Sequence, residues 1–130
     1  MFRMFCAALA LAGLVAPLHA QTFPAKPIRL IVPFPPGGGT DISSRLVATE
    51  LAKSTGWTIV VENKAGASGM IGLAEAARAT PDGHDIVMGQ ADNVIIAAPT
   101  MKSPPLDPLK DLTPVIQVAS SPSLIMTRAD

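Results

Sequence analysis

The residues of this 130-residue chain best placed to do chemistry fall in three glycine-bearing segments. The first is Pro33-Phe34-Pro35-Pro36-Gly37-Gly38-Gly39-Thr40-Asp41. Glycines let a ligand approach the backbone closely, and the free N–H groups of a helix start favour an anion such as a carboxylate. Gly38, Gly39, Thr40 and Asp41 are the candidate contacts. The prolines stiffen the entry, so less entropy is lost on binding. A nucleotide phosphate loop needs Gly-Lys-Ser/Thr, and this segment has no lysine. A dinucleotide fingerprint needs a final glycine where Ile42 stands. A tight turn without a ligand is the plain alternative.

The second segment is Gly66-Ala67-Ser68-Gly69-Met70-Ile71-Gly72. Ser68 raises the possibility of a hydrolase, but the nucleophile elbow G-x-S-x-G has Met70 in its last glycine position. The one histidine after residue 20 is His84. It opens a predicted strand, at the end away from the loops, which argues against a triad. Ser68 reads better as a helix cap, with the N–H groups of its neighbours Gly69 and Met70 facing the rim. His84 reads as a surface or strand-end residue.

In the third segment, Gly89-Gln90-Ala91-Asp92-Asn93, the amides of Gln90 and Asn93 can hydrogen-bond a polar ligand. Asp92 is either an inward acid or an ordinary solvated one. No His or Cys pair occurs. The acids Glu62, Asp82, Asp85, Asp107 and Asp111 have no ligand-set spacing, so neither a metal nor a cofactor is expected.

The elements around these segments alternate. Ile28-Arg29-Leu30-Ile31-Val32 is short, apolar and β-branched, as a buried strand is. Thr40 or Asp41 caps a helix in which Ile42, Leu46, Val47 and Leu51 recur at helical spacing, and Gly56 ends it. Thr58 to Glu62 is a second buried strand. A second helix carries Ile71, Ala74, Ala77 and Arg78. Thr80-Pro81-Asp82-Gly83 is a turn, and Asp85 to Met88 is a third strand. Pro99 to Pro108 reads as an extended connection. Val115 to Ala119 and Leu124 to Thr127 read as two further short strands. Strand–helix alternation of this kind implies βαβ units, right-handed crossovers and a parallel sheet. In such sheets ligands bind outside the carboxyl ends of the strands. All three glycine-bearing segments leave such ends, so they should converge on one rim.

The N-terminus sets the compartment. Arg3 precedes the apolar run Cys6 to Val15, Pro17 breaks it, and Leu18-His19-Ala20 offers a small residue before Gln21. That is the order of a cleaved secretory signal, and the run is too short to cross a bilayer. Cys6 opens the apolar run instead of closing it, so it is not a lipidation site. Its removal leaves no cysteine and no disulfide. Ten basic and ten acidic residues balance; loss of Arg3 with the leader leaves −1. Such a chain has no electrostatic footprint for nucleic acid. A single Trp and no Tyr leave little surface on which to stack a sugar.

Ala25-Lys26-Pro27-Ile28-Arg29-Leu30-Ile31-Val32-Pro33-Phe34, running into Pro36-Gly37-Gly38-Gly39-Thr40-Asp41, resembles the opening of the Bug family of tripartite tricarboxylate transporter receptors. Val60-Val61-Glu62-Asn63-Lys64-Ala65-Gly66-Ala67-Ser68-Gly69-Met70-Ile71-Gly72 resembles it too. So do Thr80-Pro81-Asp82-Gly83 and Pro105-Leu106-Asp107-Pro108-Leu109-Lys110-Asp111-Leu112-Thr113-Pro114-Val115. Together they cover nearly all of residues 24–130, in order. The resemblance implies an α/β, type 2 periplasmic-binding-protein-like lobe with a βαβαβ parallel sheet. Residues 1–20 are then the signal peptide, 21–112 an incomplete first-lobe domain, and 113–130 the start of a crossover to a second lobe. It implies a non-enzymatic periplasmic receptor that holds a small organic carboxylate through backbone N–H groups and waters and delivers it to a membrane permease. Mapped onto this chain, the contacts are Gly38, Gly39, Thr40 and Asp41, with Ser68, Gly69 and Met70. After signal cleavage no direct membrane insertion is implied. The chain departs from the family at His84, Asp85 and the third segment, and it is shorter. A truncated, non-functional fragment of such a receptor is therefore an alternative, and a secreted serine hydrolase a remoter one.

Export of the chain should yield a product that begins at Gln21, read by N-terminal sequencing. A product retaining residues 1–20 contradicts the signal assignment.

Overall fold

The computed structural model describes residues 22–121 and 126–128; residues 1–20, expected to be a signal peptide, lie outside the described residues. Strand β1 spans Ile28–Val32, helix α1 Gly39–Thr55, and strand β2 Ile59–Asn63. A 3₁₀ turn at Ala67–Gly69 leads into helix α2, Met70–Arg78, and strand β3 is Asp85–Val87. A π-helical stretch, Asp92–Ala97, runs into α3, Ala98–Thr100, and α4 is Pro108–Asp111. The sheet order is β2-β1-β3, and both pairings are parallel. Ile28 lies opposite Ile59, and Arg29 lies opposite Asp85.

The two long helices cover opposite faces. Ile59 and Val61 of β2 line a groove together with Ala48 and Ala52 of α1. Arg29 of β1 turns the other way, where Nη1 meets Glu75 of α2 at 2.5 Å and Nε meets Asp85 at 2.5 Å. Alternate strand residues point to opposite faces, so α1 and α2 flank the sheet. This is a doubly wound arrangement, in which the connections diverge between β1 and β3. On the α2 side, Met70, Leu73, Ala74, Ala98 and Leu106 form the core, with Val87 and Val94 packed on it. Gly72 lets α2 sit against the start of the first loop: a Cβ there would lie 2.8 Å from Pro33 Cβ.

Several sequence expectations need correction. Thr40 and Asp41 do not cap α1. The helix starts at Gly39 after Gly38, with no side-chain cap, because the Asp41 carboxylate folds back to the Gly37 N–H. The helix ends at Gly56, as expected, in a left-handed conformation with its N–H donated to the Ala52 carbonyl. Its buried positions are Asp41, Ser44 and Ala48, while Ile42 is 61% and Leu46 62% exposed. Small side chains thus bring α1 onto the sheet, and Ser44 is buried because its hydroxyl donates to the Thr40 carbonyl at 2.6 Å.

Strand β2 begins and ends one residue later than expected, and it is half-buried because it is an edge strand. Ser68 makes no cap for α2; Gly69 occupies that place. His84 is buried at the strand end and accepts the Ala25 N–H on Nε2 at 3.1 Å. Its Nδ1 lies 3.1 Å from Asp82 Oδ1 without hydrogen-bond geometry. The third loop is shorter than expected, because helical backbone takes over at Ala91. The stretch from Pro99 is helical to Thr100 and irregular until α4. Val115 to Ala119 is not a strand; Val115 is 82% exposed, with no paired neighbour among the described residues. Of the segment 124–127, Leu124 and Ile125 lie outside the described residues, and the remainder is irregular.

Leu73 is fully buried in the α2 core. Leu73→Ala should destabilise the chain by about 2–5 kcal/mol, the usual effect of emptying such a site, measured by urea denaturation.

Candidate functional site

Because β1, β2 and β3 run parallel, the segments that follow them leave one edge of the sheet. Side-chain contacts there confirm the convergence. The Gln90 amide donates to the Thr40 hydroxyl, joining the third loop to the first across the point where the connections diverge. The second and third loops touch at Gly69 and Asn93, where a Cβ on Gly69 would lie 2.5 Å from Asn93 Nδ2. Gly69 has φ +86°, a left-handed conformation that side chains rarely adopt, so both space and backbone require glycine.

The first loop is stiffened from within. Asp41 is buried. One carboxylate oxygen accepts the Gly37 N–H at 2.9 Å, and the other accepts Asn63 Nδ2 at 2.9 Å. Arg45 Nε donates to both oxygens at 3.0 Å. These hydrogen bonds hold the Asp41 carboxyl well below the usual carboxylate range, Arg45 contributing most, then Gly37, then Asn63. Arg45 is correspondingly held more strongly protonated. The negative charge in the first turn of α1 is thus paired inside the protein, and Gly38 and Gly39 stay exposed. A Cβ on Gly39 would meet nothing within 4 Å. The first N–H groups of a helix have no intrahelical acceptor, so this open stretch of backbone can donate to an anion. The first turn of α2 holds no acid at all.

The other candidates divide by environment. Ser68 is exposed and left-handed, with φ 53°, and Ala67 before it is also left-handed, with φ 47°. Two such non-glycine residues in succession are strained. Gly69 and Met70 are buried, and the Met70 side chain belongs to the core. Their N–H groups do not face the rim free, as the sequence suggested: Gly69 donates to the Gly66 carbonyl at 2.9 Å and Met70 to the Ala67 carbonyl, closing the 3₁₀ turn. Gln90 is exposed. Asn93 is 0% exposed; its Oδ1 accepts the Gln90 N–H at 2.9 Å, while Nδ2 has no hydrogen-bond partner. Ser68 follows β2 and His84 precedes β3, so they stand at opposite edges of the parallel sheet and form no triad.

Sequence reasoning missed Asn63 and Arg45, which build the first loop's support. Arg45 was legible as an i+4 partner of Asp41; the role of Asn63 depends on a contact across 22 residues. A groove of about 660 Å³ between α1 and β2 lies on a sheet face and holds none of the candidate residues. Among the described residues, no cluster of His, Cys, Asp or Glu is placed to hold a metal ion, and no helix is long and apolar enough to cross a membrane.

Comparison with known proteins agrees with this architecture. Residues 43–130 match the model of the tripartite tricarboxylate transporter family receptor. Protein BugT of Bordetella pertussis is 41% identical over 120 residues, covering 92% of this chain and 37% of BugT. The structure of the periplasmic binding protein BugD superposes with a TM-score of 0.62 at 40% identity, over 68% of this chain and 29% of BugD. MatC from Rhodopseudomonas palustris, solved with bound malate, superposes with a TM-score of 0.68 at 38% identity, over 72% of this chain and 32% of MatC. The chain therefore spans well under half the length of these relatives.

Two outcomes follow from the site. Gly69→Ala forces an unfavourable left-handed residue, which costs roughly 1–2 kcal/mol, in addition to the clash with Asn93; chemical denaturation should show at least that loss. Asp41 has a depressed folded-state pKa, so its contribution to stability is present above the unfolded value of about 3.9 and is lost as pH falls below it. Asp41→Asn should flatten the fall in melting temperature below about pH 4. An equally steep fall in the variant contradicts this assignment.

Proposed function

Since the chain belongs to the tripartite tricarboxylate transporter receptor family, we propose that it supplies the first lobe of a periplasmic receptor that binds a small organic carboxylate and delivers it to a membrane permease. The observation that carries this reading is the convergence of three loops on one rim whose only buried acid, Asp41, among the described residues, is already paired with Arg45. The exposed backbone at Gly38 and Gly39 is then the part left to meet an anion. Gln90 and Thr40, linked across the crevice, supply neutral polar groups that set orientation. Asp41 and Asn93 act from below, holding the first loop and the Gln90 backbone respectively.

The family is one of transporter receptors, which supports a reading of binding. Malate in the related MatC structure is a ligand of the proposed class. The periplasmic setting rests on the leader-like residues 1–20 and on the family. Residues 113–130 are taken as the lead into the second lobe that the longer relatives have room for. A receptor of this kind closes two lobes around its ligand, so the rim described here is one half of the binding surface.

A thermal melt of the chain with and without a panel of small carboxylates, malate included, tests the reading. A ligand that binds only the native state stabilises it by about 2.7 kcal/mol at a hundredfold excess over Kd. At least one acid should raise the transition, and its amide analogue should not. A transition that no carboxylate moves overturns the proposal for this chain.

A further inference from the structure

Asn63 stands where the first two rim loops meet. It is the last residue of β2, opposite Val32 at the end of β1. Directly after it, the Lys64 N–H donates to the Val32 carbonyl at 2.8 Å, so the second loop departs from the end of the first strand's own ladder. The Asn63 side chain reaches the other way, into the first loop. Nδ2 donates to the Phe34 carbonyl at 3.0 Å and to Asp41 Oδ1 at 2.9 Å, and Oδ1 accepts from Arg45 Nη2 at 3.0 Å.

A short amide suits this place for a chemical reason. It offers two donors to a carbonyl and a carboxylate, and an acceptor to a guanidinium. Aspartate would set a second carboxylate against Asp41. Alanine would leave the buried Asp41 oxygen and the Phe34 carbonyl without this donor. The dependence runs onward to the rim, because Asp41 in turn holds the Gly37 N–H and so fixes where Gly38 and Gly39 stand.

We infer that Asn63 is a positioning residue for the ligand site, locking the first loop to the root of the second so that the N–H groups of the first loop are held in one preformed place. The inference rests on the carboxylate-binding reading and deepens it. It accounts for affinity without a direct contact, since loops already held in the bound geometry lose less freedom when ligand arrives.

The test compares Asn63→Asp and Asn63→Ala with the unaltered full chain by two readouts. The first is the titration of the Asp41 carboxyl, followed by carbon-detected NMR with no ligand present. The second is the affinity for malate by calorimetry. In Asn63→Asp, Asp41 should titrate at higher pH, and malate affinity should fall about tenfold or more in both variants, as expected for losing hydrogen bonds to a charged group. In an Asp41→Asn background, Asn63→Ala should change affinity much less, because its route to the rim is already cut. Unchanged Asp41 titration in both variants overturns the proposal, as does an equal loss of affinity in both backgrounds. If the unaltered chain binds no malate, the carboxylate reading loses its support for that acid, while the Asp41 titration alone still decides whether Asn63 holds the loop.

Discussion

Parallel pairing of β1 with a strand on each side is the constraint from which the site follows. A parallel neighbour cannot be reached by a tight hairpin, so each return to the sheet requires a crossover. Each crossover then begins at the same edge. With β1 in the centre, the chain after β1 passes to the α1 face, and the chain after β3 passes to the α2 face. The backbone therefore parts between those two strands and leaves a crevice there. Thr40 and Gln90 meet across that crevice. No other side chains have to be invoked to explain why polar loops gather at this edge and not at the edge that holds His84.

What suits a gathered set of loops to the proposed anion site is the treatment of charge. An acid in the first turn of a helix is favourable for the helix but hostile to an incoming carboxylate. Asp41 resolves the conflict by turning inward, where Arg45, Asn63 and the Gly37 N–H saturate it. The loop gains rigidity from the same bonds that remove the charge from the rim. The strained pair Ala67 and Ser68 shows that the second loop is also held in one shape at some energetic expense.

Much of this was legible in the sequence, for identifiable reasons. Ile28 to Val32 could only be a buried strand, since its run of β-branched and aliphatic residues is short and ends at prolines. Gly56 marked the end of α1 because a left-handed terminus favours glycine. Convergence of the glycine-bearing segments followed from alternation alone. The failures also have causes. Ile42 and Leu46 recur at helical spacing, yet α1 turns Ser44 and Ala48 to the sheet, because a hydroxyl that satisfies itself within the helix can be buried as readily as a small apolar group. Asp92 to Ala97 is rich in β-branched residues and Asn, poor helix formers, and tertiary packing of Val94 and Ala97 on α2 overrode that preference. Val115 and Ile116 have strand propensity but no strand beside them among the described residues. The ties made by Asn63 were invisible because a strand-end asparagine looks like any loop entry until its partners are known.

The most direct measurement is an amide-resolved NMR titration of the chain with malate. Shifts are expected at Gly38, Gly39, Gly69 and Gln90, clustered at the carboxyl edge of the sheet, with the groove residues Ala48 and Ala52 unmoved. Shifts confined to that groove, or to the edge around His84, would contradict the assignment of the rim as the ligand site.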